Sequence, residues 1–522
     1  MTQAIENIEK GKLLELATKL YLENMGFTVS SWKEWALQRK LSLQDTGLFL
    51  QDTGIDLVVE KDGELYAVQC KNWKKAVSWE DLGTFIGSLD LKDVFFNGGF
   101  LVANAITTEA EKKLRSLKKK IQILPIDEIR EFFSKAQALL EGRPILKEKK
   151  ELRPYQKEAV EKVLEGFVDH DRGKLIMPPG TGKTLVALRI AEALGAGKFI
   201  LFICPSIALL DQTIKVWFRD SELPINAYAV VSDRGVGRSD ELNKISLLTF
   251  PATTSSEELL KHFNLHVEKL NVIFSTYQSL DVIKEAQQKG LPEFDLIICD
   301  EAHRTAGVSQ REDSSFKIVH SNEHIKGKKR LYMTATPKVF DARDEDRQQL
   351  EEEFLIKIYD MSDEKIFGPT FFEYSFRRAI EEGYLSPYRV GILMIDKNDI
   401  QEKLHEYLLE SEKLGVDDTT KLVGLGKLIR GEVYNEDGTL LALSVKRGIV
   451  FVNRVSKSKQ IAEDFFDVYE RYFGEKPQAE IQHIDGNMSV FEKRAKINWL
   501  REGGANARIL TNAKVLTEVS NS

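Results

Sequence analysis

Met177-Pro178-Pro179-Gly180-Thr181-Gly182-Lys183-Thr184 is the stretch that decides the fold of this chain. It follows the apolar residues Leu175-Ile176 and precedes a helix predicted over residues 185–194. Glycines in this position let the backbone curl so that its N–H groups point at phosphate oxygens. A glycine-rich turn without a ligand is the alternative, and the flanking strand and helix disfavour it. The predicted nucleotide-binding residues are Gly180, Thr181, Gly182, Lys183 and Thr184, with Lys183 on the outer phosphates and the Thr184 hydroxyl on Mg²⁺.

A second apolar run, Leu296-Ile297-Ile298-Cys299, is followed by Asp300-Glu301-Ala302-His303, which begins with two adjacent carboxylates. We expect Asp300 to hold Mg²⁺ through its hydration shell and Glu301 to orient and deprotonate the attacking water. An acidic pair after a strand is often structural, but its position downstream of the glycine-rich loop favours the catalytic interpretation. His303 is not expected to bind zinc, because no second histidine lies at helical spacing.

These two motifs belong to a longer pattern that begins near Leu152. Short apolar runs alternate there with helical segments, which is typical of a parallel sheet buried on both faces. The runs cover residues 175–177, 199–204, 272–274, 296–299, 331–333, 448–452 and 507–510. The predicted fold class is therefore α/β, with parallel sheets in the larger, C-terminal part of the chain.

Composition places few limits on the function. The chain has 522 residues and a formal net charge of −7, so several domains are expected, and the acidity neither requires nor excludes nucleic acid. No apolar run reaches the roughly 18 residues that cross a bilayer, and the N-terminus lacks a signal-peptide pattern. Cys70, Cys204 and Cys299 lie in apolar runs without metal spacing, which favours buried thiols in a reducing, cytoplasmic setting.

Near the N-terminus, Asp56 begins one predicted strand and Gln69-Cys70-Lys71 ends the next. Antiparallel pairing across the Lys61-Asp62-Gly63 turn brings these strand ends together, with Gln69 and Lys71 on one face and Cys70 pointing into the core. An acid, an amide oxygen and an ammonium group suit Mg²⁺-assisted phosphodiester hydrolysis, in which Asp56 and Gln69 bind the metal. Lys71 orients the water, helps to deprotonate it, or screens the developing charge. The alternative is a solvated pair of Asp56 with Lys71.

The C-terminal pattern resembles the motors of superfamily 2 helicases and translocases, especially those of Type I and Type ISP-like restriction enzymes. The resemblance rests on segments that follow one another in the family's order: 153–156, 205–213, 275–278, 334–337, 359–368, 379–388, 450–454 and 483–488. It implies two RecA-like lobes that use ATP and Mg²⁺, with Gln156 contacting the adenine. It also implies that segments 205–213 and 275–278 touch the backbone of double-stranded DNA.

The N-terminal block resembles the Mrr-like branch of the PD-(D/E)XK nucleases, from about Gly11 to Lys118. In that branch a glutamine commonly replaces the second acid, as Gln69 does here. The resemblance also assigns an additional metal-binding glutamate to Glu15 on the first helix. The alternative is that Glu15 is a surface glutamate, like Glu23 on the same helix, and the loop residues Asp45 and Asp52 are near rivals for a metal-binding role.

The expected organisation is a nuclease domain at 1–135, a linker at 136–152, a first lobe at 153–377 and a second, C-terminally incomplete lobe at 378–522. The resemblance implies a site-specific endonuclease with a DNA-dependent ATPase, and methyltransferase and target-recognition domains or subunits beyond this chain. No arginine finger follows Thr517-Glu518, so weak or absent ATP hydrolysis is expected. A non-catalytic remnant, and a repair or phage-defence helicase–nuclease without a methyltransferase, are the alternatives.

Overall fold

The computed structural model describes residues 2–39, 53–61, 63–90, 94–140, 150–231, 252–309, 316–339, 357–388, 395, 397–404, 416–432, 439, 445–485, 488 and 490–513. The chain forms two compact units, Met1–Ser386 and Pro387–Ser522. The first unit contains the N-terminal block and the first motor lobe, and the second unit contains the second lobe.

The N-terminal block is built on a five-stranded sheet in the order β1-β2-β3-β4-β5. The strands are β1 Thr28–Ser31, β2 Leu57–Lys61, β3 Glu64–Lys71, β4 Gly98–Ala103 and β5 Lys120–Pro125. The helices are Thr2–Asn24, Trp32–Gln38, Gly83–Ser88, Thr108–Ser116 and Arg130–Leu140, with 3₁₀ turns at Glu80–Leu82 and Ile126–Ile129. The hairpin of β2 and β3 is antiparallel, as predicted, whereas β3, β4 and β5 are parallel. The start of β2, which follows Asp56, and the end of β3, which carries Lys71, therefore lie together at the open end of the hairpin.

The first motor lobe is built on an eight-stranded sheet in the order β15-β6-β13-β11-β7-β10-β8-β9, in which every pairing is parallel. The strands are β6 Arg172–Ile176, β7 Phe199–Cys204, β8 Ile225–Val230, β9 Ala252–Thr253, β10 Leu270–Thr276, β11 Leu296–Cys299, β13 Arg330–Thr334 and β15 Thr370–Glu373. A separate antiparallel ribbon pairs β12 Gly307–Ser309 with β14 Lys357–Tyr359. Because the central strands are parallel, the loops that follow β6, β11 and β13 meet at one edge of the sheet.

Helices cover this sheet and account for its nearly uninterrupted apolar strands. They are Pro154–Asp169, Lys183–Ala193, Ile207–Asp220, Ser256–His262, Leu280–Gln288, Glu364–Phe367 and Phe376–Glu381, with 3₁₀ turns at Tyr277–Ser279, Ala302–Thr305 and Ile318–His320. Pro154 occupies the first helical position, where its missing N–H costs nothing. Ser206 caps Ile207–Asp220 by accepting a hydrogen bond from the Leu209 N–H.

The N-terminal block and the first lobe share one apolar core cluster, which runs from Leu14 and Tyr21 to Trp217 and Phe274. The Lys61 ammonium also donates to the carbonyl of Ala227 at 2.9 Å. The helix Arg130–Leu140 extends into the region expected to be a linker. The two parts are therefore packed together within the first unit.

The second unit contains a parallel sheet of β16 Arg447–Val452, β18 Ala507–Ala513 and β17 Ala479–Ile484, in that order. Its helices are Lys397–Lys403, Val416–Arg430, Val455–Phe473 and Val490–Glu502. The compact units divide between Ser386 and Pro387, and the start of the second lobe at residue 378 stays a prediction. The Arg378 guanidinium donates to Glu158 of the first lobe at 2.8 Å.

No helix in the described ranges combines the length and apolarity needed to cross a membrane.

Candidate nuclease and nucleotide sites

The register of the β2–β3 hairpin places Asp56 beside Gln69 and Lys71. Leu57 pairs with Val68, so Asp56, one residue earlier, lies opposite Gln69, one residue later. The backbone N–H of Cys70 donates to Asp56 Oδ2 at 2.6 Å, and the N–H of Asp56 donates to the Val68 carbonyl at 2.8 Å. The three side chains proposed for catalysis thus meet at the open end of the hairpin.

Gln69 is more deeply enclosed than the alternation of the strand suggested, with 4% of its surface exposed. Gly54 closes over it with φ +65°, and a Cβ at Gly54 would lie 2.9 Å from Gln69 Nε2 and 3.1 Å from Phe85 N. Both the conformation and the space therefore require glycine there. On the other face, Cys70 packs against the core as expected, with its Sγ 3.7 Å from Thr18 Oγ1.

Burial raises the pKa of Asp56 to about 6, although the Cys70 N–H and the Lys71 charge lower it in part. Burial and the charge of Asp56 raise the pKa of Glu15 to about 7, against a smaller lowering by Lys12. The influence of Asp56 on Glu15 places the two carboxyl groups near each other. The structure thus brings Glu15 to the hairpin site that the sequence predicted.

Glu23, on the same helix as Glu15, has a side chain that is 41% exposed and pairs with Lys19 at 3.9 Å. Asp45 and Asp52 lie outside the described residues. The Lys71 ammonium lies 4.4 Å from the centre of the Trp73 ring, a contact that the sequence reasoning did not anticipate.

The residues of this site fit a divalent cation. The Gln69 Oε1 atom is buried and has no hydrogen-bond partner among the described residues. Beside it are two carboxyl groups, Glu15 and Asp56, whose pKa values are raised, and hard cations prefer such oxygen ligands. The described ranges contain no group of three His, Cys, Asp or Glu side chains suited to a metal. A metal ion there would use the Gln69 amide oxygen together with the two carboxyl groups.

The glycine-rich loop follows β6 and leads into the helix Lys183–Ala193. Gly182 has φ +83°, and a Cβ there would lie 2.5 Å from Gln156 Nε2. The loop is braced by Tyr155 Oη and Gln156 Nε2, which both donate to the Thr181 carbonyl at 2.9 Å. The Lys183 ammonium is almost buried and donates to the Met177 carbonyl at 3.1 Å.

Gln156, the expected adenine contact, uses both ends of its amide within the protein. Its Nε2 bonds the Thr181 carbonyl, and its Oε1 accepts from the Arg153 N–H at 2.9 Å. The structure thus gives Gln156 a bracing contact with the loop, and its contact with a base stays a prediction.

The acidic pair faces the glycine-rich loop. Asp300 is buried at the end of β11, where its N–H donates to the Ile203 carbonyl at 2.8 Å. Burial and the charge of Glu301 raise the pKa of Asp300, and the Lys183 ammonium lowers it. Lys183 and Asp300 therefore lie within electrostatic reach of each other, as the predicted nucleotide site requires.

Glu301 has φ +49° and ψ +45°, and no other described residue except glycine has a positive φ. His303 Nδ1 lies 3.4 Å from Glu301 Oε2 and 3.0 Å from Thr334 Oγ1, so it links the acidic pair to segment 334–337. Tyr277 Oη donates to the Asp300 carbonyl at 2.8 Å. The sequence reasoning missed the contacts of His303 and Tyr277, and the only signal for Tyr277 was its place in segment 275–278.

The segments expected to touch DNA are largely turned inward. In segment 275–278 the hydroxyl side chains of Ser275 and Thr276 are buried, and Gln278, which is half-buried, donates to the Pro205 carbonyl at 3.3 Å.

In the second unit, His483 bonds Ser458 at 2.6 Å and Asp485 at 2.8 Å. The neighbouring residues 486 and 487, and the segment 517–518, lie outside the described residues.

Two family models match the chain. Residues 21–135 match a restriction endonuclease family of the Mrr type, and residues 149–339 match the family of the Type III restriction enzyme res subunit. A solved structure of the ATP-dependent Type ISP restriction-modification enzyme LlaBIII bound to DNA is 32% identical, with a TM-score of 0.77, over 98% of this chain and 34% of that one.

Curated relatives agree with these matches. The endonuclease subunit of the Type I restriction enzyme EcoAI from Escherichia coli is 29% identical over 248 residues, which are 47% of this chain and 24% of the relative. The probable helicase A859L of African swine fever virus is 25% identical over 318 residues, covering 60% of this chain and 31% of the relative. The chain thus spans about a quarter to a third of the length of these proteins.

The family matches cover both halves of the first unit, and the LlaBIII structure covers nearly the whole chain with the same α/β architecture. The chain carries an Mrr-type restriction endonuclease domain followed by RecA-like helicase lobes, and it is homologous to the Type I and Type ISP restriction enzymes.

Proposed function

We propose that this chain is the nuclease and motor part of a restriction–modification system, which couples ATP-driven movement along double-stranded DNA to Mg²⁺-dependent DNA cleavage. The observation that carries the proposal is the meeting of Glu15, Asp56, Gln69 and Lys71 at one hairpin end, in the same compact unit as the loop of Lys183. LlaBIII, which is described as ATP-dependent and bound to DNA, supports the proposal by homology.

In the nuclease site, Asp56, Gln69 and Glu15 would hold Mg²⁺, which when bound supplies positive charge that activates water and stabilises the phosphate in the transition state. The side chains of this chain set the geometry. The Cys70 N–H fixes the Asp56 carboxylate, and Gly54 holds the Gln69 amide in place. Lys71 orients the attacking water and screens the charge that develops on the phosphate.

In the motor site, the loop backbone and Lys183 bind the phosphates of ATP, and Thr184 and Asp300 would hold Mg²⁺. Glu301 orients the attacking water and accepts its proton. Closure of the motor on ATP and its reopening after hydrolysis would move the enzyme along DNA. Sequence specificity would come from target-recognition and methyltransferase domains or subunits that are not part of the described residues.

ATP hydrolysis with and without duplex DNA tests the motor. The wild-type chain is compared with Lys183→Ala, which removes the phosphate-binding ammonium, under enzyme excess so that slow turnover is detected. Hydrolysis that duplex DNA stimulates and that Lys183→Ala abolishes supports the proposal. Hydrolysis that survives in Lys183→Ala contradicts the motor assignment for this chain.

Plasmid nicking in Mg²⁺ tests the nuclease. Asp56→Ala and Lys71→Ala are each expected to abolish nicking while ATP binding remains intact, because the two sites use different residues. Lys75→Ala is the matched control, since its ammonium also lies over the Trp73 ring, at 4.8 Å, yet pairs with Asp81. Undiminished nicking in Asp56→Ala or Lys71→Ala would show that the site is elsewhere.

A further inference from the structure

The turn after β11 holds Glu301 in a conformation that is costly for a residue with a side chain. Its φ of +49° lies in the left-handed region, where Cβ crowds the backbone. A residue persists there only when its surroundings hold it, and such strain is often found at functional sites. Glu301 is also the proposed base of the motor, so whatever holds this backbone determines where its carboxylate points.

Tyr277 contacts the peptide unit between Asp300 and Glu301 from outside the turn. Its hydroxyl donates to the Asp300 carbonyl at 2.8 Å, and that carbonyl belongs to the peptide unit joining Asp300 to Glu301. Tyr277 is fully buried, and its ring stacks on Phe316 with centroids 5.2 Å apart. Burial raises the pKa of Tyr277, so the hydroxyl remains a donor.

The other bonds of the Asp300–Glu301 peptide and of the Glu301 carbonyl come from within the turn. The Glu301 N–H bonds Asp300 Oδ1 at 3.0 Å and the Arg304 N–H bonds the Glu301 carbonyl at 3.0 Å, and both partners belong to the turn itself. Tyr277 instead reaches the turn from the end of β10, and β7 lies between β10 and β11 in the sheet. It therefore connects the turn to a strand two positions away in the sheet.

We propose that Tyr277 is a positioning residue for Glu301: its hydroxyl holds the Asp300–Glu301 peptide, and so keeps the Glu301 carboxylate at the place of the attacking water. The inference deepens the proposed ATPase function and rests on it. It gives segment 275–278 a role inside the protein, consistent with the buried hydroxyls of Ser275 and Thr276.

The first test is Tyr277→Phe, which removes one oxygen and keeps the ring on Phe316. We expect kcat for ATP hydrolysis to fall by about tenfold, because a displaced base loses part of its effect, while KM for ATP changes by less than about twofold. In a Glu301→Gln background the same substitution should lower kcat by less than about twofold, because the base is already absent. Equal losses in both backgrounds, or an unchanged kcat in the wild-type background, would overturn the inference.

The second test does not depend on turnover. Amide hydrogen exchange of the segment 297–305 should become at least about fivefold faster in Tyr277→Phe, because the turn loses its anchor. Tyr228→Phe is the matched control, since its hydroxyl also bonds a backbone carbonyl, that of His262 at 3.1 Å, far from the turn, and it should leave this segment unchanged.

Exchange separates the two proposals. Unchanged exchange in Tyr277→Phe overturns the role of Tyr277, even in a chain that hydrolyses no ATP. Faster exchange in a chain whose ATP hydrolysis persists in Lys183→Ala overturns the motor assignment and leaves the anchoring contact in place.

Discussion

Lys215, on the helix Ile207–Asp220 of the motor lobe, forms an ion pair with Glu128 of the nuclease domain. The same ammonium bonds Asp211 at 2.5 Å, and only 23% of the Lys215 side chain is exposed. Burial alone lowers the pKa of Lys215, but the charges of Asp211 and Glu128 outweigh it and raise the pKa. Together with the shared apolar core, this cluster fixes the nuclease domain on the first lobe.

Lys215→Ala is therefore expected to lower the free energy of unfolding by about 1–3 kcal/mol, because two carboxylates are left together without a cation. Urea unfolding followed by circular dichroism measures the change. Arg130→Ala is the control, because Arg130 pairs with Asp127 in the same region but its side chain is 79% exposed. If Lys215→Ala is as stable as Arg130→Ala, the cluster does not fasten the two domains.

The raised pKa values of Asp56 and Glu15, about 6 and about 7, predict how the nuclease site responds to pH. Between the ordinary carboxyl pKa of about 4 and these values, the folded state binds more protons than the unfolded state, so the stability contributed by these groups falls as pH rises. A bound Mg²⁺ ion should offset this loss above pH 7. We expect Mg²⁺ to raise Tm by at least about 2 °C at pH 8 and by less at pH 5.5.

Thermal unfolding without nucleotide checks this dependence. Asp56→Asn should remove the Mg²⁺-induced increase and raise Tm at pH 8 in the absence of metal. Glu23→Gln, on the same helix as Glu15 but exposed, should behave as the wild type. A Mg²⁺ effect of equal size in Asp56→Asn and the wild type would exclude Asp56 as a ligand.

Gly182→Ala tests the glycine-rich loop. The substitution adds a Cβ at φ +83° and places it 2.5 Å from Gln156 Nε2, so the loop must shift, and we expect ATP affinity to fall by more than about tenfold. Gly195 also has a positive φ, +101°, but a Cβ there meets nothing within 4 Å. Gly195→Ala should therefore lower stability and leave ATP binding intact. Titration with a fluorescent ATP analogue measures the nucleotide affinity of both variants. Equal affinities in Gly182→Ala and Gly195→Ala would contradict the prediction.

The Trp73 ring is expected to hold the Lys71 ammonium in place, with a contribution of about 0.5–2 kcal/mol for a cation–π contact. Trp73→Leu should thus slow Mg²⁺-dependent nicking by about threefold to thirtyfold. Trp73→Phe keeps an aromatic face and should retain most of the rate. Single-turnover nicking of supercoiled plasmid measures both variants, and a Trp73→Leu rate equal to that of Trp73→Phe would exclude the contribution of the ring.

Local patterns in the sequence predicted many elements of the fold and the meeting of residues at the two candidate sites. The hairpin around Gly63 predicted that Asp56 meets Gln69 and Lys71, because the turn residues set the pairing and alternation sets the faces. The apolar runs before Lys183 and Asp300 predicted parallel strands. Strands of a parallel sheet are buried on both faces, so apolar and polar residues do not alternate along them. The placement of Glu15 came from a family resemblance, since no local pattern relates a helix to the strand it covers.

Contacts between residues that are distant in the chain could be identified only in the folded structure. Gln69 is approached closely by Gly54 of a preceding loop, and Gly54 in turn lies against Phe85 of a following helix. The bond from Tyr277 to the Asp300 carbonyl depends on the order of strands in the sheet. Periodicity and turn chemistry act over a few neighbouring residues, so they specify elements and motif positions. The packing of those elements decides which side chains become buried together and which buried polar atoms remain without hydrogen-bond partners.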